Sequence, residues 1–309
     1  MKISFVIPVY NERETLRALT EGILEHAAPH ECQIIMVDDG STDGSLDELV
    51  QLRDEYPSVE IVRMRGNFGK STALSAGFAE VEGDLVFTMD SDLQDEPKEI
   101  PRFLAKIEEG YDVVAGWKAT RFDPWHKVIP SRIYNKFVAW LFDVPLHDVN
   151  CGYKLFRREV VEKLEIYGEM HRLIPVLAHY LNYRVTEIPV EHHPRQYGVS
   201  KYGLERFVRG AMDVSTMWFL TRYRHRPGHF FGGVGLCLLF LASMSLIASV
   251  CVWTMALSTY WMVLAVMAQV FLAAGLIVLC LGLVSELVLH HFIRIDPTIY
   301  QVDENTRKE

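Results

Sequence analysis

Two carboxylates one residue apart, Asp90-Ser91-Asp92, close the apolar run 84–90 and are followed by Leu93-Gln94. From a strand end both could reach one hard divalent cation. Mg²⁺ takes one or two protein carboxylates and fills its octahedron with phosphate oxygens and water. A metal so held would clamp a diphosphate and offset the charge that builds on a leaving phosphate. Asp-x-Asp is also a common pair of solvated loop acids, so the triplet alone does not decide. Two further polar clusters sit at the ends of apolar runs: Tyr10-Asn11-Glu12 after 3–9, and Asp38-Asp39 closing 33–39. A carboxylate there can accept from a base N–H or a ribose hydroxyl, and Tyr10 could stack. Asp43 and Ser45 in VDDGSTDGS (37–45) read more simply as helix caps.

GNFGKST (66–72) has the look of a phosphate loop, but the Walker pattern needs Gly five residues before Gly69, and that position is Met64. Lys70 could neutralise a phosphate, or the segment could be the N-terminal loop of a helix with no ligand. No G-x-G-x-x-G follows the first run, which counts against a dinucleotide dehydrogenase.

The elements that would position these groups alternate. Short apolar runs at 3–9, 33–39, 59–64, 84–90 and 112–116 read as buried strands. Helical spacing at 11–26, 45–55 and 71–80 separates them. This order predicts an α/β chain with a parallel sheet and helices on both faces. Ligands of such sheets bind beyond the carboxyl ends of the strands, so the three polar clusters should meet at one rim. From 117 to 204 the pattern is less regular: a helix near 131–142, a short element at 151–157 and a strand at 184–191.

Fifty-six consecutive residues, Phe230 to Ser285, carry no Asp, Glu, Lys or Arg. That is too long for one membrane span of about 20 residues and right for two. The spans are placed at 230–255 and 261–286, turning through Ser258, Thr259 and Tyr260, with Trp253, Tyr260 and Trp261 as an aromatic belt. Arg222, Arg224 and Arg226 precede them; Arg294, Arg307 and Lys308 follow. Basic flanks favour the cytoplasm, so both termini are expected there, in an inner or plasma membrane. The N-terminal MKISFVIPVY reads as a strand, not a signal peptide. The segment 204–225 reads as an amphipathic helix in the interface plane or packed on the domain. The expected divisions are 1–204, 205–228, 229–287 and 288–309. Five Cys without paired spacing fit a reducing compartment, and a net charge of −9 argues against nucleic acid as a partner.

FVIPVYNE, VDDGSTDGS, RGNFGKSTALSAGF (65–78), MDSDLQDEP and HDVNCGYKLFRR (147–158) together resemble the family-2 glycosyltransferases, which have a GT-A type fold. The resemblance is strongest to the polyprenyl-phosphate branch, of the dolichol-phosphate mannosyltransferase and bactoprenol glucosyltransferase type. HHPRQYGVSKYG (192–203) is similar to that branch's mobile loop, whereas Gly66 departs from the usual Arg-Asn-Phe-Gly. The resemblance implies that Pro8, Tyr10, Glu12, Val37 and Asp39 hold the base and ribose. It puts Asp90, Ser91, Asp92 and Gln94 around the diphosphate and a Mg²⁺ or Mn²⁺ ion, with Asp92, Asp90 and Gln94 toward the metal. On the same resemblance Asp148 would be the acid near the reacting sugar carbon, and Arg195 and Lys201, and less directly Arg121 and Arg172, would bind phosphate.

The implied activity is inverting transfer of one hexose from a nucleotide diphosphate sugar to polyprenyl phosphate, by a homo-oligomer, expected to be a tetramer. Two other readings stand beside it. One is a membrane-tethered nucleotide-sugar scaffold without turnover. The other is a processive polysaccharide synthase, against which the absence of Gln-x-x-Arg-Trp counts.

Overall fold

The computed structural model describes residues 1–119, 125–191, 205–224, 226–255 and 260–292, without the side chains of 125–127, 205–209 and 292. Two compact units are present, Met1–Trp218 and Phe219–Glu309.

The first unit is built on seven strands: β1 (Lys2–Val9), β2 (Glu31–Asp38), β3 (Val59–Arg63), β4 (Leu85–Thr88), β5 (Val113–Trp117), β6 (Lys154–Arg157) and β7 (Val185–Pro189). Their order is β3-β2-β1-β4-β6-β5-β7. The expected parallel runs are there, but the sheet is mixed. β6 is antiparallel to both β4 and β5. The reason is where the chain comes from: β5 delivers it to the carboxyl rim, and β6 begins at that rim and runs back. The reversal puts 148–153, which leads into β6, beside the ends of β4 and β5.

Helices α1 (Leu16–His26), α2 (Ser45–Glu55), α3 (Lys70–Phe78) and α4 (Ile100–Glu108) alternate with the strands. Each buries one stripe: α4 buries Ile100, Phe103, Leu104 and Ile107, at the spacing of one helical face. α3 lies close on the sheet. A Cβ on Gly77 would lie 2.4 Å from Val6 Cγ1 and 3.0 Å from Val37 Cγ2. The core is aromatic at its centre. Phe5 and Phe87 are partners in register across β1 and β4 and stack at 5.0 Å. Phe103 meets Phe87 at 5.6 Å and Tyr153 at 4.4 Å.

Past β5 come α5 (Trp125–Phe142), the short α6 (Arg158–Glu162), α7 (Ile174–Tyr180) and α8 (Glu205–Tyr223). α5 buries Asn135 and Val138. Its other side exposes Ile129, Ile133, Phe137 and Trp140, Trp140 at 74%.

The second unit holds α9 (Pro227–Thr254) and α10 (Trp261–Phe292), both long and apolar enough to cross a membrane. They approach closely where side chains are absent: a Cβ on Gly235 would lie 2.6 Å from Leu279 Cγ. Glu286 of α10 accepts from the Gly228 N–H at 2.9 Å, which satisfies an otherwise unpaired amide in the first turn of α9. Of the expected turn, Ser258 and Thr259 lie outside the described residues.

Candidate active site

The three polar clusters do meet at one rim, and hydrogen bonds join them. Asn11 Oδ1 accepts from the Thr42 N–H at 2.7 Å, and the Asn11 N–H donates to Ser41 Oγ at 3.1 Å. The Glu12 N–H donates to Ser45 Oγ at 3.0 Å. Thr15 Oγ1 donates to the Ser91 carbonyl at 2.5 Å. The turn after β1 is thus tied to those after β2 and β4. Asn11 and Leu93 both take positive φ, +56°. For Leu93 this is an unusual backbone conformation, held inside Asp90–Gln94.

Asp39 is buried and clasps the next loop. Its Oδ1 accepts from the Phe68 N–H at 2.7 Å and its Oδ2 from the Gly69 N–H at 2.9 Å. The two turns touch at backbone level: a Cβ on Gly40, whose φ is +75°, would lie 2.7 Å from the Gly66 carbonyl carbon. That contact accounts for the glycine at 40; a Cβ on Gly66 would meet only Phe68 Cε2, at 3.8 Å. The clasp aims the first turn of α3 at β4, where Lys70 is ion-paired to Asp90. Burial alone would push the Asp90 carboxyl up. The Lys70 and Lys118 ammonium groups outweigh it and hold the carboxyl well below the usual range.

Of the residues expected to hold the base, Pro8, Tyr10 and Glu12 are half-buried on the β1 side of the rim. Val37 is fully buried with its side chain toward α3, so a ligand could meet only its backbone. Asp43 Oδ1 accepts from the Ser45 N–H at 2.9 Å, closing the start of α2 as a cap does. Ser45 differs from the capping expectation, because its hydroxyl serves the Glu12 amide.

Asp92 is 7% exposed and Ser91 6%. The Gln94 N–H donates to Asp92 Oδ1 at 3.2 Å. No three His, Cys, Asp or Glu groups converge as a metal cage among the described residues. The donor chemistry still fits a hard cation: two carboxylates, with phosphate oxygens and water completing the shell. Gly152 also leaves room at this point, since a Cβ there would lie 2.7 Å from Asp90 Oδ1.

The same Gly152 contact brings the Asp148 segment against the β4 end. Asp148 is buried. Its Oδ1 accepts from Asn135 Nδ2 at 2.9 Å and from the Asn150 N–H at 3.2 Å; its Oδ2 accepts from the Lys118 N–H at 3.4 Å. The segment is pinned to β7, where Glu187 Oε2 accepts the amides of His147 at 2.7 Å and Asp148 at 3.3 Å. His147 stacks on Trp117 at 4.4 Å.

Behind the rim lies positive charge that the sequence reading missed. Lys118 pairs with the buried Asp95 at 2.8 Å. Lys154 is buried and donates to the His171 carbonyl at 3.2 Å. Burial, with Lys70 adding to it, pulls its ammonium down to about 8. His171 Nδ1 lies 2.9 Å from Ser71 Oγ, and burial holds that imidazole well below its ordinary value. A lysine opening an apolar strand, Lys154-Leu-Phe, was the available signal. Arg172 is buried and engaged by Glu169 at 2.7 Å. Arg121, Arg195 and Lys201 lie outside the described residues.

Residues 4–165, just over half of the chain, match Glycosyl transferase family 2. The chain belongs to this family. It is a glycosyltransferase, which sets the scaffold reading aside. It is 37% identical over 254 residues to a dodecaprenyl-phosphate galacturonate synthase of Rhizobium johnstonii, across 80% of this chain and 75% of that one. It is 40% identical over 228 residues to an undecaprenyl-phosphate 4-deoxy-4-formamido-L-arabinose transferase of Serratia proteamaculans, across 72% and 69%. Among solved structures it resembles glucosyl-3-phosphoglycerate synthase from Mycobacterium tuberculosis in complex with Mn²⁺, UDP and phosphoglyceric acid. That match has a TM-score of 0.57 and 18% identity, over 71% of this chain and 78% of the other. At this identity the likeness establishes the GT-A fold.

Proposed function

We propose that this glycosyltransferase moves one sugar from a nucleotide diphosphate donor to a polyprenyl phosphate, with inversion at the anomeric carbon. The observation that carries the reading is the packing of the Asp148 segment on the Asp90 carboxylate through Gly152. It brings the carboxylates proposed for the metal and a buried acid to one part of the rim. The relatives named as polyprenyl-phosphate sugar transferases support the acceptor class. The donor is a hexose or related sugar on UDP or GDP.

Asp92 and Asp90, with Gln94, would hold Mg²⁺ or Mn²⁺, which when bound neutralises charge on the departing diphosphate. The acceptor phosphate has a second pKa of about 6 and is mostly dianionic at neutral pH. It is already nucleophilic, so no strong base is needed. Asp148 orients the acceptor or stabilises positive charge developing on the sugar. The harder problem is repulsion between a dianion and a diphosphate. Lys70 stands at the rim to offset it, and Arg195 and Lys201 are the further cations proposed for the acceptor.

The membrane supplies the second substrate. α9 and α10 hold the chain in an inner or plasma membrane, and the basic flanks support a cytoplasmic catalytic unit with both termini on that side. The outward face of α5 fits a lipid surface too. Ile129, Ile133, Phe137 and Trp140 share it with Arg132 and Lys136, and the helix has no acidic residue. Apolar side chains beside cations, without acids, suit an interface of acyl chains and anionic headgroups.

The test is a screen of labelled UDP- and GDP-sugars with the detergent-solubilised chain, Mn²⁺ and undecaprenyl phosphate. One donor should move label into organic solvent. No transfer from any donor, with nucleotide binding intact, would end the reading.

A further inference from the structure

The direction of the hydrogen bonds around Asp148 follows from chemistry. An ionised carboxylate only accepts, so Asn135 must turn its Nδ2 toward Asp148 Oδ1, at 2.9 Å. That leaves Asn135 Oδ1 facing Asn150, whose Nδ2 donates to it at 2.8 Å. The Asn150 N–H closes the ring on Asp148 Oδ1 at 3.2 Å. Turning the Asn135 amide over would set oxygen against carboxylate oxygen, so its orientation is fixed. Asn135 is 4% exposed and Asp148 1%. In so dry a place a carboxylate that lost a donor would not regain it from bulk water.

We propose that Asn135 is the positioning residue of Asp148. It does not touch substrate. It holds one carboxylate oxygen and thereby sets the orientation of the acid toward the transferred sugar. This rests on the reading of Asp148 given above. It also joins two surfaces of the fold, because Asn135 lies on the buried side of α5 and the apolar row lies on the outward side. One helix, α5, therefore carries both Asn135 and that row.

The experiment compares N135A, N135D and D148N in the full chain, in lipid–detergent micelles. Turnover is measured with undecaprenyl phosphate and whichever UDP- or GDP-sugar the unaltered protein transfers. Affinity and stoichiometry are measured calorimetrically with UDP or GDP and Mn²⁺. N135A should lose turnover by up to about 100-fold, the scale of a misplaced catalytic group. Its nucleotide affinity and binding stoichiometry should stay unchanged, which separates a misplaced acid from a smaller folded fraction. N135D keeps the side-chain volume but opposes two carboxylates, and should lose at least as much. Wild-type turnover by N135A or N135D, with D148N inactive, would overturn the role of Asn135 alone. So would a fall in stoichiometry matching the fall in turnover, which marks a structural residue. Wild-type turnover by D148N would overturn the reading of Asp148 and this proposal with it.

Discussion

Lys70, in the first turn of α3, is ion-paired to Asp90, two residues past the end of β4. The two sit 24% and 33% exposed, so the pair is neither on the open surface nor sealed. The pair keeps ionised the acid proposed for the metal and puts a cation beside it. On the proposed function, Asp90 would gain a second cation and Lys70 a phosphate when donor and metal bind.

Lys70→Ala should therefore weaken binding of the nucleotide diphosphate rather than abolish folding. Loss of one charge-assisted contact is worth about 2 kcal/mol, or roughly 30-fold in affinity. Calorimetric titration of UDP or GDP in Mn²⁺ checks it. Unchanged affinity would place Lys70 outside the donor site.

The outward row of α5 gives a second expectation. Ile133→Ser with Trp140→Ser should reduce transfer to undecaprenyl phosphate in bilayers several-fold and leave nucleotide affinity as it was. The difference in brominated-lipid quenching between the unaltered chain and Trp140→Phe reports the contact, because Trp253 of α9 and Trp261 of α10 are quenched in both. A Trp140 insensitive to the quencher would detach α5 from the membrane surface.

Lys154 makes stability depend on pH. Its folded pKa is lowered to about 8 from 10.5, first by burial and then by Lys70. Between those values the unfolded chain binds more protons at Lys154 than the folded one, so the Lys154 contribution to stability should rise as pH goes from 8 to 10.5, opposed above pH 9 by the Cys151 thiol, which burial pushes up to about 12. The full cost below pH 8 is about 3 kcal/mol. Lys154→Met should be more stable at pH 7 and should lose this part of the slope. Thermal unfolding of the solubilised chain against pH measures both.

Much of this site is legible in the sequence because it rests on local pattern. The runs 3–9, 33–39 and 84–90 are apolar and short, and each ends in polar residues, so a parallel sheet must gather those ends. The direction of β6 is not legible. Its four residues, Lys154 to Arg157, carry no signal of strand direction, and only the return of the chain from the rim sets it antiparallel. Val37 and Asp39 show a second limit. Motif likeness places both at the nucleotide, but it carries no information on which side chains the protein itself engages. Val37 packs against α3, and Asp39 spends both oxygens on amides 29 and 30 residues away. Asn135 lies inside a helix with no neighbouring cluster, and only the folded chain brings it to Asp148.

Transfer of a sugar to a polyprenyl phosphate at a membrane surface should depend on a divalent metal. Radiolabel from the donor found by screening is followed into an organic-soluble product, with and without EDTA. Label should enter the organic phase with Mg²⁺ or Mn²⁺ present and should stay out of it once the cation is chelated. Transfer that continues at full rate in EDTA, or label that goes to a water-soluble alcohol in preference to undecaprenyl phosphate, would contradict it.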